Sequence, residues 1–236
     1  MSYAEPMNTP TPTTLTPRPL FAFIALLFAL IAPQPAVAAS ATEPQGHRGI
    51  LTPITSAPTG VVLTPQERNQ LESGKHVERH VKSDGGGSGI AVQYIRATPE
   101  QIWATILSYH RYKSWVKNVV DCSIYRREGN VIFIDMQTSI LGFRSQIFTK
   151  NTVQKAEGYM AWTLDYDRKS DVNDLVGYWR VQPVDNQPGV TRLEHSNSIS
   201  MRGVPGFLVN YMTRDALAEG TAWVKREAEK RNQSAR

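Results

Sequence analysis

The chain has 236 residues, 26 Lys and Arg against 21 Asp and Glu, and a single cysteine, Cys122. One cysteine excludes an intramolecular disulfide, so the fold must be held together by its hydrophobic core. The formal charge of +5 is spread along the sequence. No aromatic-interleaved basic stripe or nucleic-acid-binding motif accompanies it, so the sequence argues against a nucleic-acid partner.

Met1 to Arg18 is rich in Thr and Pro, with almost no charge and too little apolar content to fold alone. "LFAFIALLFALIA", Leu20–Ala32, follows a basic residue and precedes "PQPAVAAS". A basic flank, a short apolar run and small residues at an A-x-A site make the pattern of a secretory signal peptide, with cleavage near Ala38 or Ala39. The run is shorter than the ~20 residues a membrane-spanning helix needs, and Pro33 and Pro35 stop it. Export to the periplasm or the exterior is therefore expected for residues 1–39, with an uncleaved N-terminal membrane anchor as the alternative. Residues 40–63 are again Pro-, Thr-, Ala- and Gly-rich and read as a disordered linker.

At Thr64 the character changes. "TPQE" supplies a capping Thr, a Pro at the first helical position and a Glu three after the cap, predicting a short helix over 64–74. "HVERHVK" and "GIAVQYIRA" read as strands flanking "SDGGGSG", a hairpin loop. The glycine run lacks the Gly-Lys-Ser/Thr ending and following helix of a phosphate-binding loop. His76 and His80, if on a strand, lie about 13 Å apart. Zinc needs its ligands near 2.1 Å, so no metal site is expected, and nothing in the sequence requires a cofactor.

Thr98, Pro99 and Gln101 repeat the capping pattern, and Ile102, Trp103, Ile106 and Leu107 form one apolar helix face. Tyr109, Tyr112 and Trp115 recur every third residue, so a second short helical turn can present them on one side. Short strands separated by turn signals follow: "NVVDCSIYRR", "VIFIDMQTS", "FRSQIFTKNTV", "MAWTLDY", "VGYWRVQP" and "TRLEHSNSIS". This is the pattern of an antiparallel meander. The polar stretch "DRKSDVND" reads as a solvated loop. "VPGFLVNYMTRDALAEGTAWVKREAEKR" closes the chain as one long helix, whose apolar side changes between Val204–Met212 and Leu217–Ala228. That change predicts either a bend near Gly220 or two different environments. Its end, "KREAEKRNQSAR", is the densest basic stretch, read as a solvated helix terminus with peripheral contact to an anionic membrane as the second reading.

"ATPEQIWATILSYHRYKSWVKNV", the Gly-Phe of "SILGFRSQ", "MAWTL", "LVGYWRVQP", "GVTRLEH" and "VPGFLVNYMTRDAL" together resemble the polyketide cyclase/dehydrase and coenzyme Q-binding START-like family. The resemblance spans about residues 75–232 and leaves 233–236 as a tail. It implies an α+β helix-grip fold: a curved antiparallel sheet of about seven strands around a long C-terminal helix. It further implies two short helices after the first strand and an apolar cavity between sheet and helix. Relatives of this kind bind lipids, sterols, quinones or polyketides, and some catalyse cyclisation or dehydration.

Strand alternation places Trp162, Trp179, His195 and Asn197 on the inner face. With Trp115, Leu208 and Tyr211 they are the expected cavity residues, and Tyr109 and Tyr112 the expected gate. No catalytic constellation is visible in the spacing. The expected function is that of a non-enzymatic carrier or sequestering protein of the cell envelope for an apolar molecule, a lipid, quinone or sterol-like compound. A polyketide-type aromatase/cyclase or dehydratase, with His195 as acid or base, is the alternative.

Overall fold

In a computed structural model of the chain the described residues are 38–83, 86–201 and 206–234. The side chains of residues 206–216 and 218 are outside the description. The apolar run Leu20–Ala32 and the rest of the expected signal peptide before residue 38 also lie outside it. No helix among the described residues is long and apolar enough to cross a membrane.

The helices begin where side-chain chemistry favours it. In α1 (Pro65–Glu72) the Thr64 hydroxyl accepts from the Glu67 amide while the Glu67 carboxylate accepts from the Thr64 amide. Thr98 and Gln101 make the same reciprocal pair for α2 (Pro99–Ile106). Each pair satisfies two amides that would otherwise lack a partner at the helix start. A 3-10 turn (Tyr109–Arg111) and the single-turn α3 (Tyr112–Trp115) follow, and the long α4 (Gly206–Ser234) ends the fold.

Eight antiparallel strands form one sheet: β1 (Val77–Ser83), β2 (Gly86–Ile95), β3 (Val119–Glu128), β4 (Val131–Ile140), β5 (Phe143–Gln154), β6 (Tyr159–Leu164), β7 (Asp174–Pro183) and β8 (Thr191–Ser200). Their spatial order is β1-β2-β8-β7-β6-β5-β4-β3, with α4 packed most heavily on β2 and α2. This is the expected helix-grip architecture. It carries one strand more than the family resemblance implies, because β1 adds an edge to β2, and the short helices accordingly follow the second strand. The main core lies between the inner face of the sheet and α2, α3 and α4, and includes Ile102, Ile106, Met160, Leu164, Leu193, Trp223 and Val224.

Two sequence expectations are corrected. The hairpin loop is shorter than expected: β1 and β2 pair up to Ser83 and Gly86, and Gly86, Gly87 and Gly89 belong to β2, opposite Ser200, Ile199 and Asn197 of β8. A Cβ on Gly89 would collide with the Leu217 side chain of α4, and one on Gly86 with the Ile199 carbonyl. These glycines serve close approach rather than flexibility.

Residues 40–63 are not a disordered linker but a strap hydrogen-bonded along the outer face of the sheet. Ser40 pairs with Lys169 in both directions at 2.8 and 2.9 Å. Gln45 bonds the main chain at Tyr166, Val172 and Asn173. The amides of Ile50 and Leu51 donate to Asp174 Oδ2 at 2.5 and 2.7 Å. Burial alone would raise the Asp174 pKa, but those two amides, with the Tyr166 hydroxyl, hold it below the usual carboxylate range. Ile54, like Ile90 of β2, then packs against the cluster of Tyr159, Ala161 and Tyr178, and Leu63 joins Leu71, Val77 and Val92. The stretch "DRKSDVND" is therefore covered by the strap rather than merely solvated.

Between these contacts sits a buried ion cluster. Glu194 is fully buried; its Oε1 lies 2.7 Å from Arg192 Nη2 and 3.3 Å from Arg180 Nη1. The Val61 amide donates to the same carboxylate, and Arg192 donates to the Val61 carbonyl at 2.5 Å. A buried carboxylate persists only when charge and hydrogen bonds replace its water, and here two guanidiniums and the strap do so.

Candidate functional site

The inner face of the sheet can be read strand by strand. One row crosses it as Asn151 (β5), Trp162 (β6), Gly177 (β7), Asn197 (β8) and Gly89 (β2). The next row runs Val153, Met160, Trp179, His195 and Ala91 in the same strand order. Large and small residues alternate along the first row, so the sheet has recesses into which rings fold. The Trp162 indole lies over Gly177, where a Cβ would stand 2.7 Å from Trp162 Cε2.

These rows floor a cavity of about 240 Å³ between the sheet and α4. Its walls are mainly apolar: Val119, Ile134, Met136, Leu175 and Trp223 beside Met160, Trp162 and Trp179 of the two rows. Cys122 faces it as well, and burial, reinforced by Asp121 and Asp135, pushes its thiol up to about 12. At neutral pH it is a small apolar wall residue.

One end of the cavity is polar. The His195 ring stacks on Trp179 with centroids 4.1 Å apart and on Trp162 at 5.7 Å. Desolvation lowers its pKa from the ordinary 6.5 to about 4, so it is neutral at physiological pH. Gly220 of α4 lies against the ring: a Cβ there would collide with Nδ1 and stand 3.0 Å from Cε1. His195 Nδ1, Asn197 Oδ1 and Thr221 Oγ1 are buried with no hydrogen-bond partner among the described residues. Buried polar atoms are almost always satisfied. Three orphans on adjacent elements, two of them on cavity-lining residues, mark where a ligand or solvent would be bound.

The structure brings Trp162, Trp179, His195 and Asn197 together at this cavity, along with Tyr109 and Tyr112. Both tyrosines are buried, and burial raises both pKa values. Tyr112 donates to the Ile106 carbonyl at 2.6 Å and packs edge-on against Trp223. Tyr109 reaches the Met160 sulfur at 3.6 Å. Both stand in the buried wall of the cavity.

Trp115 is not part of the lining. It is half-buried at the end of α3, with the Arg231 guanidinium 5.3 Å over its ring. Leu208 and Tyr211 fall within the side chains outside the description, as does the first apolar stripe of the final helix. The second stripe is buried at Leu217, Thr221, Val224 and Ala228. Thr149, Asn151, Glu219 and Gly220 also line the cavity. The alternation in "FTKNTV" placed Thr149 and Asn151 on one face, but nothing in that strand alone said which face was inward.

Among the described residues of the basic helix end, Lys225, Arg226 and Lys230 are paired with glutamates of the same helix. Lys225 meets Glu229 and Lys230 meets Glu227, each at 3.0 Å, and Arg226 reaches Glu219 and Glu227. This arrangement leaves less uncompensated charge for an anionic surface than the sequence suggests.

With this geometry in view, the family model for polyketide cyclase/dehydrase and lipid transport matches residues 91–231. The chain belongs to that family. Comparison with curated proteins returns no match. Among solved structures, the fold is similar to the ZhuI aromatase/cyclase of Streptomyces sp. R1128 (15% identity, TM-score 0.54, 67% of this chain and 98% of that one). It is also similar to a protein of Thermus thermophilus (17%, 0.52, 63% and 98%). A START superfamily protein of Mycobacterium smegmatis is a third case (16%, 0.50, 66% and 97%). At these identities the likeness establishes a START-like fold. The family's scaffold serves more than one chemistry, so function must be argued from the cavity.

Proposed function

We propose that this protein binds one compact, largely apolar molecule with a polar group at one end, as a carrier or sequestering protein of the cell envelope. The observation that carries the reading is the cavity itself: an apolar chamber walled by Trp162, Trp179 and Trp223 that ends in the unpartnered Nδ1 of His195 and Oδ1 of Asn197. Ligand pockets are built in this way, with apolar walls for affinity and a few polar atoms for orientation. A volume of about 240 Å³ lies just below the ~300–1,000 Å³ range of such pockets. It suits a ring system or a short chain better than a diacyl lipid. Lipid-transport members of the family support the same reading, and the signal-peptide pattern of residues 1–39 supports the envelope location.

Native mass spectrometry of the purified protein, followed by titration with quinone, sterol-like and fatty-acyl panels, tests the proposal. A co-purified or titratable apolar ligand is expected, with affinity reduced about tenfold or more in Asn197→Leu for ligands bearing a hydroxyl or carbonyl and little changed for hydrocarbons. Absence of any bound ligand and of binding across the panels would overturn it.

A neutral His195 in the cavity, together with polyketide cyclase members of the family, gives a second reading as an aromatase/cyclase or dehydratase. It predicts turnover of a polyketide-like substrate that His195→Ala abolishes while the fold survives. Against it, an imidazole with a pKa near 4 is a weak base at neutral pH, and the carboxylate of the cavity lining, Glu219, is paired with Arg226 at 3.3 Å.

A further inference from the structure

Among the described residues, the hydrogen bonds of the strap begin at Ala39. Its amide nitrogen lies 2.8 Å from Asp171 Oδ1, and the next residue, Ser40, makes the two-way bridge to Lys169. Asp171 is held in place from its other side, Oδ2 accepting from the Gln146 amide at 2.7 Å and its own amide donating to the Gln146 carbonyl. Ala36-Val37-Ala38 is the A-x-A segment expected at the end of a signal peptide. The residue that follows this segment is therefore the residue whose nitrogen faces a fixed carboxylate.

We infer that the chain is cut between Ala38 and Ala39 and that the α-ammonium thereby created becomes the structural counter-ion of Asp171. The inference rests on the export part of the proposed function and is independent of the ligand reading. An endopeptidase of the export route hydrolyses the Ala38–Ala39 peptide bond. Water supplies hydroxyl to the Ala38 carbonyl, which leaves as a carboxylate, and the nitrogen of Ala39 takes up protons as an ammonium. A neutral amide-to-carboxylate bond is thereby replaced by a charge-assisted one, of the stronger class.

A cut one residue later would not achieve this. It removes the nitrogen that meets Asp171 and places the new amine on Ser40, whose nitrogen faces the Lys169 carbonyl instead. Processing thus pins the start of the strap, which goes on to cover the outer face of the sheet. Of the charged groups near this point, Lys169 pairs with Glu43 at 3.1 Å, Arg48 with Asp167, and Arg168 lies over the Tyr125 ring.

The full-length chain, expressed with its own leader in a Gram-negative host and purified, is first measured by intact mass. The mass of residues 39–236 is expected. A cut elsewhere overturns this inference alone, and an uncut chain overturns it together with the signal-peptide reading of residues 1–39. Melting temperatures of the processed protein are then compared with those of the same protein acetylated selectively at its α-amine, and of Asp171→Asn.

The carboxylate raises the pKa of the folded α-amine above its ordinary value of about 7.7–8.0. The stabilisation is therefore fully present below that ordinary value and lost as pH rises through the folded one. At pH 7 the free-amine protein is expected to melt about 2–4 °C above the acetylated form, with the gap closing towards pH 9.5. Asp171→Asn, which also weakens the Gln146 contact, is expected to show no such gap between its own free and acetylated forms. Equal melting of free and acetylated wild type at pH 7 would overturn the pairing.

Discussion

Replacing His195 by glutamine removes the imidazole of the cavity lining while keeping a neutral polar side chain beside Trp162 and Trp179. In the wild type, burial lowers the imidazole from 6.5 to about 4. The unfolded chain therefore takes up a proton at a pH where the folded chain does not. A depressed histidine contributes stability that is present above 6.5 and lost as pH falls towards 4. Each tenfold difference in proton affinity is worth about 1.4 kcal/mol, so the full effect is about 3 kcal/mol, of which about 2 kcal/mol is already lost at pH 5. Urea unfolding of both proteins at pH 8 and pH 5 isolates the effect, because contributions from all other groups cancel in the comparison. The wild type should lose about 2 kcal/mol more than His195→Gln between those two pH values. Parallel pH profiles would refute the argument, since they would mean that the ring is solvated or exchanges its proton within the folded state. A ligand that accepts a hydrogen bond from the neutral ring should deepen the wild-type slope further.

Two further substitutions probe the architecture around the cavity. Gly177→Val puts side-chain atoms where the Trp162 indole lies; a loss of about 1–3 kcal/mol on thermal unfolding is expected from overpacking, with apolar-probe fluorescence in the cavity reduced at least tenfold. Glu194→Ala leaves the guanidiniums of Arg180 and Arg192 without their buried partner. These two keep 24% and 20% of their side-chain exposure, so the cost should fall below the ~3–5 kcal/mol of a fully buried break, at about 2–3 kcal/mol. Limited proteolysis should then cut first between Leu51 and Val61, and an unchanged cleavage pattern would show that the cluster does not hold the strap.

How much of this was legible beforehand depended on the range of the interactions involved. The capping pairs at Thr64 and Thr98 act over three residues and are written in the sequence. The inward set Trp162, Trp179, His195 and Asn197 follows from strand period 2 once one anchor per strand is known. Residues 40–63 misled because their partners are remote. Asp171, Asp174 and Glu194 lie more than a hundred residues away, and a Pro- and Thr-rich composition looks the same whether its amides meet water or a distant carboxylate. The glycines of β2 misled for the same reason: flexibility is a local property, whereas the need for space beneath Leu217 of α4 is not. Trp115 shares its three-residue spacing with Tyr109 and Tyr112. The 3-10 turn and the single-turn α3 bury the two tyrosines against Met160 and Trp223, while Trp115 ends up beside Arg231 of α4.

The two faces of β7 and β8 connect the strap to the cavity. Arg180 and Glu194 point outward to the strap, and the residues preceding and following them, Trp179 and His195, point inward and face each other across the same strand pair. Because side chains alternate with period 2, a one-residue slip of β8 would carry Glu194 into the apolar chamber and His195 to the outer face. An unpaired carboxylate in the chamber would cost several kcal/mol. The ion cluster outside would at the same time lose its centre. The outer charges therefore select the register that stacks the imidazole on Trp179 and beside Trp162 and leaves Asn197 opposite Gly177. The polar end of the cavity is positioned as much by Glu194, Arg180, Arg192 and Val61 behind the sheet as by the residues that line it.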